Sequence, residues 1–348
     1  MTSYLDPMFI GLSMTSLVTL PFISRWVLQR ITSLKTSQKE PPTNHENVTI
    51  SEYEKILQTT LSALSIPPTH YAPPCAELTD QIFSRIQAVT PNQAQALALS
   101  HIGALAAISF YPSHSAHLHL LIGLYTAFYL VLDDTGDTLT DQIPLFELLI
   151  SLFHEFDIVF SSFTANKLFS GILSSLAPLE VEFDRTTIST TTTSPTASIS
   201  PLFPRYFRNM TGSPEAYVYF LLTNEIFTPS RPKSLLHTVP ELWNLTDELN
   251  DLFSFYKESI VGLERDTYVY DKARADGVEV GRVLRDIGEE AVSRVRRIER
   301  ILEGDEVLGD LMRSFVMGQV RFYFVAERYR LGRLGLNLAG EAVEKVDR

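Results

Sequence analysis

Apolar segments of helical length set what this chain can fold into. They recur at about 94–110, 116–133, 143–162, 241–260 and 307–331. A further segment, about 281–303, is amphipathic and rich in Arg and Glu. Strand-and-turn alternation is scarce, so the periodicity predicts an all-α domain. A chain of 348 residues that is 45% hydrophobic and 11% aromatic can bury a large core. No repeat of solenoid length interrupts this pattern.

Two polar clusters follow such apolar runs. The first is Asn250-Asp251-Leu252-Phe253-Ser254-Phe255-Tyr256-Lys257-Glu258. It spaces Asn250, Ser254 and Glu258 at i, i+4 and i+8. On an α-helix each four-residue step rises about 6 Å and turns by only about 40°. An amide carbonyl, a hydroxyl and a carboxylate then share one face, a set of hard donors suited to Mg²⁺. Lys257 leans toward that face, and a cation beside such a set suggests an anion held by both, most simply a phosphate. The opposing reading is an ordinary polar helix face.

The second cluster is Asp133-Asp134-Thr135-Gly136-Asp137, at the end of the apolar run Leu120 to Leu132. Asp133 and Asp137 are i, i+4. Gly136 weakens the helix there. Carboxylates at a helix C-terminus face the negative end of its dipole. Divalent cations would remove that penalty, and a solvated helix end is the alternative.

The two clusters together resemble the motifs of class I terpene synthases, specifically fungal sesquiterpene cyclases of the trichodiene synthase type. Leu130 to Asp134 is similar to the family's aspartate-rich motif. Asn250 to Glu258 matches its Asn/Ser/Glu metal triad, Lys included. Glu327-Arg328-Tyr329-Arg330-Leu331 looks like its C-terminal Arg-Tyr pair. Tyr206 to Gly212 resembles the segment carrying its pyrophosphate-sensing Arg, which aligns with Arg208, Arg205 being the nearby alternative. The similarity spans roughly residues 95–335.

The resemblance implies an all-α class I terpenoid synthase bundle around a central cavity, a prenyl diphosphate substrate and three Mg²⁺ ions. Asp133, Asp134 and Asp137 would hold two of them, with Asp133 the surest ligand. Asn250, Ser254 and Glu258 would hold the third. Arg208, Lys257, Arg328 and Tyr329 would bind the diphosphate and assist its departure. Tyr125, Tyr129 and Trp243 fall on the ligand faces by periodicity, as cavity lining or as core. Phe253 and Phe255 fall off that face and read as packing. A chain-elongating prenyltransferase shares the chemistry but usually carries two Asp-rich clusters. A non-catalytic isoprenoid-binding relative is the third reading. No His cluster of zinc spacing points to a hydrolytic metalloenzyme.

The remaining features bound the setting. A net charge of −12 argues against nucleic-acid binding. A single cysteine, Cys75, excludes an intrachain disulfide framework and fits the cytoplasm. The resemblance makes a homodimer an expectation. Residues 49–348 read as one helical domain, and 1–48 as an apolar segment and linker. Pro7 to Ser24 is uncharged and is followed by Arg25 and Arg30. Membrane contact through residues 7–28, an interfacial helix and an unusual terminus all stay open. The Thr/Ser/Pro-rich stretch from Thr186 to Pro204 reads as a surface loop.

Overall fold

The computed structural model describes residues 48–66, 76–90, 92–135, 143–183, 200–211, 214–227, 232–262 and 264–336. The expectations for residues 7–28, for Asp137, for Cys75 and for most of 186–204 fall outside these. All described helices belong to one compact unit, Pro42–Arg348.

The described chain is helical, with one isolated bridge between Phe160 and Thr223. In order, α1 is Ile50–Leu64, α2 Ala76–Ile86, α3 Gln93–Phe110, α4 Ala116–Thr135, α5 Ile143–Val159 and α6 Ser162–Phe183. Two short helices follow, α7 Phe203–Arg208 and α8 Pro214–Tyr219. The long α9, Pro232–Phe255, passes into a π-helix, Tyr256–Val261. Then come α10 Tyr268–Asp276, α11 Val280–Ile301, α12 Glu306–Val325 and two 3₁₀ turns, Glu327–Tyr329 and Leu331–Arg333.

Helix starts follow local chemistry. Thr49 accepts from the Glu52 amide at 3.2 Å to cap α1. Asn92 accepts from Ala94 and Gln95 to cap α3, and Asp305 caps α12 through Leu308. Each supplies an oxygen to amides that have no partner within the helix.

The helices α3 and α4 are long and apolar enough to cross a membrane, yet more than half of each is buried inside the fold. They pack unusually close. A Cβ on Gly103 would lie 2.3 Å from the Gly123 carbonyl oxygen, and one on Gly123 would lie 2.4 Å from Ile82 Cδ1. Glycine is therefore required for contact, not for backbone freedom, and this contact fixes the helix that ends in Asp133 and Asp134. Gly103→Ala should drive α3 and α4 apart and cost about 1–3 kcal/mol, the usual range for overpacking. Chemical denaturation would measure it, and an unchanged midpoint would refute the close-approach argument.

The helix α9 packs against α11 and α12. Its polar flank meets the Arg-rich face of α11. Glu248, almost fully buried, pairs with Arg294 at 2.9 Å and with Arg205 of α7 at 3.2 Å. Glu241 pairs with Arg294 at 2.8 Å and Arg297 at 3.0 Å. Arg294 and Arg297 of the Arg/Glu pattern of 281–303 thus form a ladder to α9, while Arg282, Arg285, Arg296 and Arg300 remain exposed. Three helix boundaries differ from expectation. The helix read as 241–260 starts at Pro232 and leaves α geometry at Tyr256, and the run 307–331 ends its α-helix at Val325.

Candidate active site

One cavity of about 580 Å³ opens between α3, α4, α8, α9, α12 and the segments after α9 and α12. Asp133, Asp134, Arg208, Asn250, Lys257, Glu258, Arg328 and Tyr329 all line it. Many of the polar groups lie near helix ends: the end of α4, the end of α7, the last turns of α9 with the π-helix after it, and the 3₁₀ turn after α12. Ile102, Phe110, Tyr129, Tyr217 and Phe322 supply apolar wall.

Along α9 the donor set is compact. Ser254 is buried behind the wall, and its hydroxyl donates to Glu258 Oε2 at 2.9 Å. Glu258 Oε1 lies 3.2 Å from Lys257 Nζ. Asn250 Oδ1 accepts from Arg208 Nη2 at 3.0 Å, while its Nδ2 donates to the Tyr323 hydroxyl at 3.1 Å. The amide oxygen therefore faces the basic side of the cavity.

Does this set fit Mg²⁺? Octahedral Mg²⁺ with bonds of 2.0–2.1 Å places neighbouring oxygens about 2.9 Å apart. The Ser254–Glu258 oxygen pair already has that spacing. The donors are all hard oxygens, so the residues fit the ion. Among the described residues no three His, Cys, Asp or Glu side chains form a metal cluster by themselves.

Across the cavity, Arg328 Nη1 and Nη2 donate to the two oxygens of Asp134 at 2.8 and 2.7 Å. This bidentate bond joins the end of α4 to the end of α12 and differentiates the two aspartates. Asp134 is engaged by Arg328. Asp133 keeps contact with the cavity's solvent but is crowded by protein. Burial raises its pKa first, then the neighbouring Asp134, while Arg328 and Lys257 oppose the rise. Lys257 Nζ also sits 5.9 Å above the Tyr329 ring.

Arg208, and not Arg205, reaches the cavity. Its Nε donates to Asp251 Oδ1 at 2.7 Å and its Nη1 lies 3.0 Å from Asp247 Oδ1. Asp247 and Asp251 are i, i+4 on α9 and so share a face. The Asp247 side chain is buried and that of Asp251 nearly so. Two carboxylates share one guanidinium, so one is under-compensated. Burial pushes Asp247 up to about 8, with Arg208 opposing and Asp251 adding. The folded protein thus holds a proton on Asp247 that the unfolded chain releases above its ordinary value of 3.8. Stability from this group is fully present below that value and is lost as pH rises through about 8. Asp247→Asn should flatten that slope between mildly acidic and mildly alkaline pH. Urea midpoints across the range would show it, and identical slopes in both proteins would rule the linkage out.

The aromatic candidates divide. Tyr129 lines the cavity. Tyr125 is fully buried in a ring cluster with Tyr217 and Phe220, and it is not on the wall. Trp243 is partly buried against the core and also lies off the wall. Phe253 and Phe255 are buried, as their off-face positions imply. Sequence reading overlooked Asp247, Asp251, Glu264, Asp266 and Tyr217. Asp251 stood inside the motif, and its spacing from Asp247 was the available signal.

These motifs on one cavity agree with the comparisons to known proteins. The family model described as Trichodiene synthase (TRI5) matches residues 71–335. The chain belongs to the trichodiene synthase family. The "(E)-beta farnesene synthase" of Metarhizium brunneum is 26% identical over 320 residues, covering 85% of this chain and 93% of its own. "Terpene synthase BipA" of Cochliobolus sativus is 25% identical over 246 residues, 66% of this chain and 74% of its own. The solved linalool/nerolidol synthase of Streptomyces clavuligerus superposes with a TM-score of 0.55 at 13% identity, covering 77% of this chain and 98% of its own. That last likeness shows the fold: an all-α class I terpene synthase bundle. Membership in the trichodiene synthase family makes the protein a terpene synthase, a lyase acting on diphosphates.

Proposed function

We propose that the protein is a sesquiterpene cyclase that ionises farnesyl diphosphate with the help of Mg²⁺ and releases diphosphate after cyclisation. The observation that carries this reading is the polarity of the cavity. Arg208, Lys257 and Arg328 share one wall with the oxygens of Asp133, Asn250 and Glu258, and the same cavity carries an apolar lining that includes Ile102, Phe110, Leu130, Tyr217 and Phe322.

Asp133 would take ions on one side, with Asp134 held by Arg328 and Asp137 the further candidate of that motif. Asn250, Ser254 and Glu258 would take an ion on the other. Bound there, Mg²⁺ would supply Lewis-acid stabilisation of the departing diphosphate. The guanidinium groups of Arg208 and Arg328 and the Lys257 ammonium donate charge-assisted hydrogen bonds to the same anion. Tyr329 borders this group and adds a hydroxyl. The rings of Phe110, Tyr129, Tyr217 and Phe322 line the same cavity and would stabilise the cation that remains. Burial pushes the Tyr217 phenol up to about 12, so it stays neutral beside the cation. A single cysteine fits work in the cytoplasm.

Incubating the purified protein with farnesyl diphosphate, with and without Mg²⁺, tests the reading by mass analysis of the organic extract. A Mg²⁺-dependent cyclic product of fifteen carbons is expected. A longer linear diphosphate formed with isopentenyl diphosphate would assign chain elongation. Folded protein with no turnover of ten-, fifteen- or twenty-carbon substrates would overturn catalysis.

A further inference from the structure

The segment that follows Ser254 carries Lys257 and Glu258 not on an α-helix but on a short π-helix, Tyr256–Val261. Such wide turns are rare and strained, and they persist where something closes them. Here the closure is visible. The Gly262 amide donates to the Lys257 carbonyl at 3.0 Å, and the Glu264 amide donates to the Glu258 carbonyl at 3.0 Å. A Cβ on Gly262 would stand 2.3 Å from the Glu258 carbonyl oxygen and 2.8 Å from that of Lys257. The backbone of Gly262, φ −85° and ψ −175°, is open to any residue. Space, not torsion, demands glycine.

A second fastening comes from Arg265. Its Nη1 donates to the Ser259 carbonyl at 3.0 Å and to the Glu264 carbonyl at 2.7 Å. The Ser259 hydroxyl donates to the same Glu264 oxygen at 3.2 Å. The guanidinium lies 5.1 Å over the Tyr270 ring, and Tyr270 stacks on Phe255, the last α residue before the wide turn. Beyond the fastening the chain returns to the cavity, where Glu264, Asp266 and Thr267 line the wall. Neither Gly262 nor Arg265 does so itself.

We propose that Gly262 and Arg265 are positioning residues: they hold the π-helix in the register that delivers Lys257 and Glu258 to the metal and diphosphate end of the cavity. The inference rests on the cyclase reading above. A Cβ at Gly262 must push on the two carbonyls belonging to Lys257 and Glu258, and so displaces those two side chains before anything else. Loss of the paired donation from Arg265 frees the end of the same turn.

The test uses the full chain, Gly262→Ala and Arg265→Lys. Each is first checked for helical circular dichroism and for its melting temperature without ligand. Thermal stabilisation by inorganic pyrophosphate is then titrated with Mg²⁺, and steady-state kinetics with farnesyl diphosphate separate kcat from KM. Gly262→Ala should keep its helical signal while its Mg²⁺ midpoint rises about 10- to 100-fold, as when the supports of metal ligands are removed. Its KM should rise with it. Arg265→Lys should move the same way by less. A residue that merely stabilised the fold would lower the melting temperature and leave the Mg²⁺ midpoint in place. A wild-type midpoint in folded Gly262→Ala overturns the proposal. Should that variant not fold, a wild-type midpoint in Arg265→Lys overturns it alone. Wild-type protein lacking any Mg²⁺-dependent pyrophosphate stabilisation would instead overturn the cyclase reading, and this inference with it.

Discussion

Glu258→Gln is expected to lower kcat/KM for farnesyl diphosphate by about 10²- to 10³-fold, the scale seen when one electrostatic contact to a developing anion is removed. The carboxylate is bracketed by Ser254 Oγ at 2.9 Å and Lys257 Nζ at 3.2 Å. Glutamine keeps the shape but removes the charge. It also turns an NH₂ toward either the metal position or the ammonium, and both contacts are repulsive. Glutamine can still accept from Ser254, so stability should change by about 1 kcal/mol, well below the loss in turnover. The contrast between lost turnover and retained melting temperature is the signature. A Glu258→Gln enzyme cyclising at the wild-type rate would show that the α9 donors hold no catalytic ion. Asn250→Ala should also cripple turnover, but with a stability cost. It strips the acceptor from Arg208 Nη2 and the donor from the Tyr323 hydroxyl.

The second large effect should come from Arg208. Its guanidinium side chain is 11% exposed and stands between Asp247 and Asp251, which are 0% and 9% exposed. Arg208→Met would remove the proposed diphosphate donor and leave two buried carboxyls facing each other. Breaking a buried ion pair from one side typically costs about 3–5 kcal/mol. For a chain of this size that is a fall in melting temperature on the order of ten degrees. The loss should shrink at low pH, where both carboxyls carry protons. Adding Asp251→Asn should recover part of it at neutral pH, because Asp247 is already neutral there. Urea denaturation at neutral and acidic pH would measure both effects. An Arg208→Met protein as stable as wild type at neutral pH would mean that the pair is not energetically coupled.

Much of this was legible in the chain because helices announce themselves through spacing. The apolar runs located α3, α4, α5, α9 and α12, and the oxygen donors at four-residue steps picked out Asn250 and Ser254 on α9 and Glu258 on the π-helix that continues it. What escaped was anything settled by tertiary contact. Composition does not change at Tyr256, so nothing local signals that the helix widens there. The Arg208–Asp251 bond joins positions 43 apart, and no period links them. Tyr125 and Tyr129 share a helical face, yet one is core and the other cavity. Only the depth of the opening separates them. Nothing in the sequence links Asp134 to Arg328, 194 positions away, which holds both of its oxygens.

The cavity's charged groups and its aromatic wall are held by different means, and this has a consequence for how such a protein can change. Groups that start the reaction depend on caps, turns and ion pairs near the mouth. Aromatic wall residues such as Phe110, Tyr217 and Phe322 are held largely by ring packing on one another. Replacing Phe110 touches none of the ion pairs that hold Arg208, Lys257 and Arg328. A lineage can therefore explore new carbon skeletons by ordinary core substitutions, each generation inheriting a working trigger while the mould behind it is recast.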